Sequence, residues 1–107
     1  MLLAIRLHAE AQQVRKAHRI GYISNRADIG PNEAAFQRGL RELGYVEGEN
    51  LVIEWRFTGA RLDRNPEVAA DLVRLKVDCI VTVGLAASRA AKQATGTIPI
   101  VMANVSD

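Results

Sequence analysis

The chain has 107 residues, 49% of them hydrophobic and 24% charged, with 5% aromatic and a formal net charge of +2. That length supports one small domain with a thin stability margin, and the composition excludes a disordered chain. The positive charge sits in residues 1–26, five basic groups against Glu10 alone, while the remainder carries nine basic and eleven acidic groups and so lacks a nucleic-acid binder's basic face.

The N-terminal segment, residues 1–18, reads as a tail. Met1 to Leu7 is apolar but broken by Arg6, and Ala9-Glu10-Ala11 has the small-x-small form of a signal-peptidase site. Two readings stand side by side: the back end of a secretory signal lacking its basic start and long apolar run, or a frayed amphipathic arm. No run of eighteen apolar residues occurs, so no helix of this sequence spans a membrane. His8 and His18 have no metal-like spacing to other ligands. Cys79 is the one cysteine and lies in an apolar run, where it acts as a small hydrophobe. Neither a cofactor nor a metal is expected.

Strand and helix then alternate. Arg19 to Ser24 forms a short strand with Ile20, Tyr22 and Ile23 as its apolar content, followed by a loop from Asn25 to Gly30. Pro31 to Leu43 forms a helix in which Phe36, Leu40 and Leu43 share one face. Gly39 on that helix suits a close approach to the sheet, and Gly44 suits a helix terminator. Leu51 to Phe57 is the second strand. The second helix starts with Asn65 as cap and Pro66 at the first helical position, with Glu67 complementing the dipole and Val68, Leu72 and Leu75 as the buried stripe. Cys79 to Val83 is the third strand, Ala86 to Ala94 an alanine-rich third helix, and Ile100 to Ala103 the fourth strand after Pro99. This is an α/β three-layer sandwich around a four-stranded parallel sheet, of order 2-1-3-4 when the crossovers are right-handed.

In that order the switch point falls between the first and third strands. Ser24 and Asn25 face the crevice after the first strand, Gly84 through Ser88 after the third, and Asn104 to Asp107 borders it. The start of the third helix aims backbone N–H groups at the crevice, which suits a carboxylate or other anion. Ser24 and Asn25 add hydroxyl and amide groups without a reactive nucleophile. Glu47, Glu49 and Glu54 have no partnering His, and no paired-carboxylate or nucleophile–base pattern appears. The inventory suits holding a small polar ligand, not transforming it. Each residue also has a plainer role: Ser24 can satisfy a strand-end backbone group, Gly84 can be only a tight turn, and Arg15, Lys16 and Arg19 can be solvated tail charges.

The segments RIGYIS, FQRGLRELGYVEGENLVIEWRF, LVRLKVDCIVTVG and AAKQATGTIPIVMAN, in that order and spacing, resemble the N-terminal lobe of ABC-transporter solute-binding proteins. The group is the TrpX-like one, with a type I periplasmic-binding-protein fold, and the resemblance runs from about Arg19 to Asp107. It implies residues 19–107 as a partial N-terminal lobe, about half of it, and a small-molecule solute of the amino-acid or small-carboxylate class. It also implies permease subunits as partners, a place outside the cytoplasmic membrane, and Ser24, Asn25, Gly84, Ala87 and Asp107 as ligand contacts. Departures are visible: Leu85-Ala86 stands where the family has Thr-Pro, and Ser106-Asp107 where it has Gly-Asp-Pro-Val. A truncated lobe is expected to be marginally stable, prone to self-association, poorly exported and too open to bind a solute tightly alone. A stand-alone flavodoxin-like or receiver-like interaction module is the second reading, although a receiver's acidic cluster and phosphoacceptor Asp are replaced by Ser24-Asn25 and Val83-Gly84. A dinucleotide-binding enzyme is disfavoured because no G-x-G-x-x-G follows the first strand.

Overall fold

The computed structural model describes residues 17–103. Four strands and three α-helices alternate: β1 (His18–Ser24), α1 (Pro31–Glu42), β2 (Leu51–Phe57), α2 (Asn65–Arg74), β3 (Cys79–Val83), α3 (Leu85–Ala94) and β4 (Ile100–Ala103). All strand pairs are parallel, and the order is β2-β1-β3-β4. The register sets Tyr22 beside Trp55 and Val81, and Ile23 beside Arg56 and Thr82. Among the described residues no helix is long and apolar enough to cross a membrane.

Because neighbouring strand residues point to opposite faces, the two faces of the sheet have separate cores. On one face Ile23 and Ile80 pack with Val68, Ala69 and Leu72 of α2 and with Ala87, Ala90 and Ala91 of α3. The alanines give α3 a narrow side, so it seats closely on both the sheet and α2. On the other face α1 lays Phe36 and Leu40 over Tyr22, Leu51, Ile53 and Val81. Tyr22 meets Trp55 edge-on at 4.8 Å between ring centroids, and Trp55 stacks on Phe57 at 5.8 Å, favoured aromatic arrangements.

Two local expectations are corrected. The glycine that permits close helix packing is Gly21, not Gly39: a Cβ on Gly21 would lie 2.7 Å from Leu72 Cδ1, whereas one on Gly39 would meet nothing within 4 Å. Leu43 does not share the buried face of α1. It sits just past the last helical turn and is 75% exposed. There Gly44 N–H bonds the Arg41 carbonyl at 3.0 Å and Tyr45 N–H bonds the Leu40 carbonyl at 2.8 Å, the Schellman pattern that terminates a helix.

The edge strand β2 covers its α2-side face with charge. Arg56 pairs with Asp71 at 2.9 Å and with Glu54 at 3.5 Å, so Glu54 serves an ion-pair network. Hydrogen bonding from Arg56 holds the Asp71 carboxyl below its ordinary range despite the opposing effect of desolvation. Cys79 is half-buried, and burial pushes its thiol up, which leaves it protonated and unreactive near neutral pH. At the opposite edge Val101 and Met102 of β4 are 52% and 57% exposed.

Candidate ligand-binding site

The carboxyl ends of the strands carry three connections that meet. After β1 the chain is clasped to the turn that follows β2: Thr58 N–H bonds the Ser24 carbonyl at 2.9 Å, and Ala60 N–H bonds the Asn25 carbonyl at 2.6 Å. Ser24 itself is fully buried, and its Oγ accepts the Arg26 N–H at 3.2 Å. Its hydroxyl therefore shapes the turn, while Asn25 next to it is exposed and lines the cleft.

The turn after β3 rests on Gly84, whose φ of +99° and ψ of 158° fall in a region held almost only by glycine. Beneath it Thr82 Oγ1 and Ser88 Oγ lie 2.7 Å apart in the core, and Ser88 Oγ donates to the Gly84 carbonyl at 3.0 Å. Ser88 thus points inward and pins the helix start, contrary to the expectation that it faces the crevice. The first intrahelical bond of α3 is Ser88 N–H to the Gly84 carbonyl at 3.2 Å. The N–H groups of Leu85, Ala86 and Ala87 precede it, no side chain caps them, and no acidic residue lies in that turn. Ala87 contributes through its N–H, because its methyl group belongs to the core.

Between these connections lies a cleft of about 200 Å³. Asn25 and Asn65 provide its polar side chains, Gly84 to Ala87 its α3 wall, and Leu62 and Leu85 an apolar lip, 52% and 62% exposed. Asn65 has a task other than the helix cap its sequence pattern suggests. It does not cap α2. Its φ of −57° and ψ of −43° are helical because the 3₁₀ turn Leu62–Arg64 runs straight into α2, whereas a capping residue needs extended backbone. Asn65 is instead 3% exposed, and its Oδ1 has no hydrogen-bond partner. The signal was present in the spacing. Asn65, Val68, Ala69 and Leu72 fall at i, i+3, i+4 and i+7, so the asparagine belongs to the buried stripe.

The structure thus brings Asn25, Gly84 and the backbone of Ala87 to one cleft, sets Ser24 beneath it, and adds Asn65. Asp107 lies outside the described residues. Among those residues no group of three or more His, Cys, Asp or Glu side chains is placed to hold a metal ion.

Comparison with known proteins points the same way. Residues 31–107 match the family model described as ABC transporter substrate binding protein. A tyrosine-binding protein of Clostridioides difficile (strain R20291) is 31% identical over 72 residues, covering 67% of this chain and 21% of that protein. In structure, the chain is similar to the ligand-free, open form of CD0873, a substrate binding protein with adhesive properties from Clostridium difficile. That likeness has a TM-score of 0.73 and 26% identity, over 84% of this chain and 31% of the other. A conserved domain protein from Vibrio cholerae is similar at a TM-score of 0.69 and 25% identity, over 81% and 30% of the two chains. The chain spans about a fifth of the curated relative's length.

Proposed function

The chain belongs to the family of ABC transporter substrate-binding proteins, and we propose that its cleft forms part of one wall of a solute site serving an importer. The family is one of binding proteins, not catalysts, and its members typically work outside the cytoplasmic membrane. For this chain we read the same role: a non-enzymatic solute binder that delivers to permease subunits, with residues 19–107 as N-terminal-lobe structure.

The solute class is amino acids or small carboxylates. The observation that carries this reading is the start of α3, where three backbone N–H groups open onto the cleft with no capping side chain and no acidic neighbour. Such a turn favours an anion through both hydrogen bonding and the helix dipole. The apolar lip of Leu62 and Leu85 suits a solute with a hydrophobic side chain, in keeping with a relative that is a tyrosine-binding protein. Asn25 supplies a further amide to the cleft. Gly84 sets the angle of the turn, and Ser24 holds the strand-one turn in place.

Helix-dipole contacts in water contribute only about 0.3–1 kcal/mol each. Ordering a free ligand costs on the order of 4 kcal/mol or more. The wall described here therefore binds no tighter than about millimolar, roughly 4 kcal/mol, without an opposing wall. Calorimetry on the purified chain against amino acids, small carboxylates, sugars and amines tests this. Carboxylate-bearing compounds are expected to bind weakly and the others not at all. Any one compound bound in the micromolar range, or a sugar or simple amine bound as well as the carboxylates, would overturn it.

A further inference from the structure

The unpartnered Oδ1 of Asn65 has a use that rests on reading α3's first turn as a carboxylate seat. Asn65 occupies a core-facing position of α2, where an apolar residue would pack without penalty and a polar group without a partner weakens the fold. Among the described residues its Oδ1 is the one buried side-chain polar atom lacking a hydrogen-bond partner. The buried hydroxyls of Ser24, Thr58, Thr82 and Ser88 and the buried carboxylate of Glu33 are all bonded. The exception stands in the wall of the cleft onto which α3 opens.

The chemistry of the two walls is complementary. The α3 turn offers donors alone, so it accommodates a carboxylate but gives nothing to an ammonium or hydroxyl group beside it. Asn65 Oδ1 is an acceptor with its full capacity unused, and the amide torsion of asparagine is broad enough to swing it into the cleft.

We propose that Asn65 reads a hydrogen-bond donor on the bound solute, so that the site selects compounds carrying a donor beside the carboxylate, α-amino acids above all, over plain carboxylates. The α3 turn holds the carboxylate, and Asn65 holds the neighbouring N–H or O–H. This explains why a polar residue stands in an otherwise apolar stripe.

Phenylalanine and hydrocinnamate differ only in the amino group and so separate the carboxylate seat from the role of Asn65. In an amide-detected NMR titration of the chain, both compounds move the Leu85, Ala86 and Ala87 N–H signals. Phenylalanine alone moves the Asn65 side-chain NH₂ signals, and it binds about three- to tenfold more tightly, the effect of one added hydrogen bond. Asn65→Ala abolishes that preference by weakening phenylalanine to the level of hydrocinnamate, and raises the unfolding temperature, whereas a structural asparagine would lower it. Equal binding of the two acids by the unaltered chain, or a preference retained in Asn65→Ala, overturns the inference while the carboxylate seat stands. If neither compound moves the Leu85–Ala87 signals, the seat itself fails and the inference with it. The unaltered chain's preference is decisive even where the variant folds poorly.

Discussion

Helices α1 and α3 both begin at the carboxyl end of the same sheet, yet only α1 carries its own anion. Glu33, in the first turn of α1, is fully buried. Its Oε1 accepts the Gly30 N–H at 2.8 Å and its Oε2 accepts the Tyr22 hydroxyl at 2.7 Å. Burial pushes the Glu33 carboxyl up, but those bonds, with Arg26 nearby, outweigh it and hold the carboxyl below its ordinary value. Burial, and then Glu33 itself, drives the Tyr22 hydroxyl above its usual range. At α3 the free N–H groups of the first turn meet no carboxylate, and the available hydroxyl, Ser88, is turned into the core. The closed helix start is structural, and the open one is where the fold leaves polar capacity for something from outside.

Opening the closed end costs the fold most. Glu33→Ala strands the buried Tyr22 hydroxyl, leaves the part-buried Gly30 N–H without its partner and lowers stability by about 3 kcal/mol, measured by denaturant unfolding. The sign of its pH dependence follows from the downward shift. The contribution of Glu33 is fully present above its ordinary value of 4.5 and is lost as pH falls through the lower folded-state value. The unaltered chain therefore loses more stability on acidification below 4.5 than Glu33→Gln does. Identical acid unfolding of the two would break this half of the comparison.

A smaller effect comes from distorting the open end. Gly84→Ala adds a methyl group that meets nothing within 4 Å, so its cost is backbone strain alone at a φ of +99°. That strain is about 1–3 kcal/mol. Carboxylate binding is expected to fall beyond detection by calorimetry while the circular dichroism spectrum is kept. Unchanged binding would show that the turn's geometry is irrelevant.

The smallest effect makes α3 resemble α1. Leu85 is exposed at the first position of α3, and Leu85→Asp gives that helix an anion of its own. Stability rises by about 0.3–1 kcal/mol at low salt and by less at high salt. Carboxylate binding weakens because the seat is already occupied. A stability gain with unchanged binding would separate the seat from the helix dipole.

Much of this was legible in the residues. The four strands and their 2-1-3-4 order follow from apolar runs separated by glycine, proline and helical periodicity, signals that local propensity and packing both support. What stayed hidden lies where those two disagree. Asn65-Pro66-Glu67 carries a capping pattern, yet the preceding 3₁₀ turn gives Asn65 helical backbone and the stripe of Val68, Ala69 and Leu72 takes its side chain inward. Gly39 sits in a helix and looks like a packing device, but the tight contact is made across the sheet, at Gly21 under Leu72. The Tyr22–Glu33 bond joins two elements whose closeness only the folded chain reveals. Ser24 was legible as a crevice residue by position, but its hydroxyl has a nearer partner in Arg26 N–H.

Native-state amide hydrogen exchange tells the closed helix start from the open one residue by residue. Without solute, the Gly30 amide, bonded to Glu33, is expected to be protected, while the Leu85, Ala86 and Ala87 amides exchange freely. Adding an amino acid carboxylate near saturation should slow exchange at Leu85–Ala87 and leave Gly30 unchanged. Protection of the α3 turn in the absence of any solute, or free exchange there at saturating solute, would contradict the account.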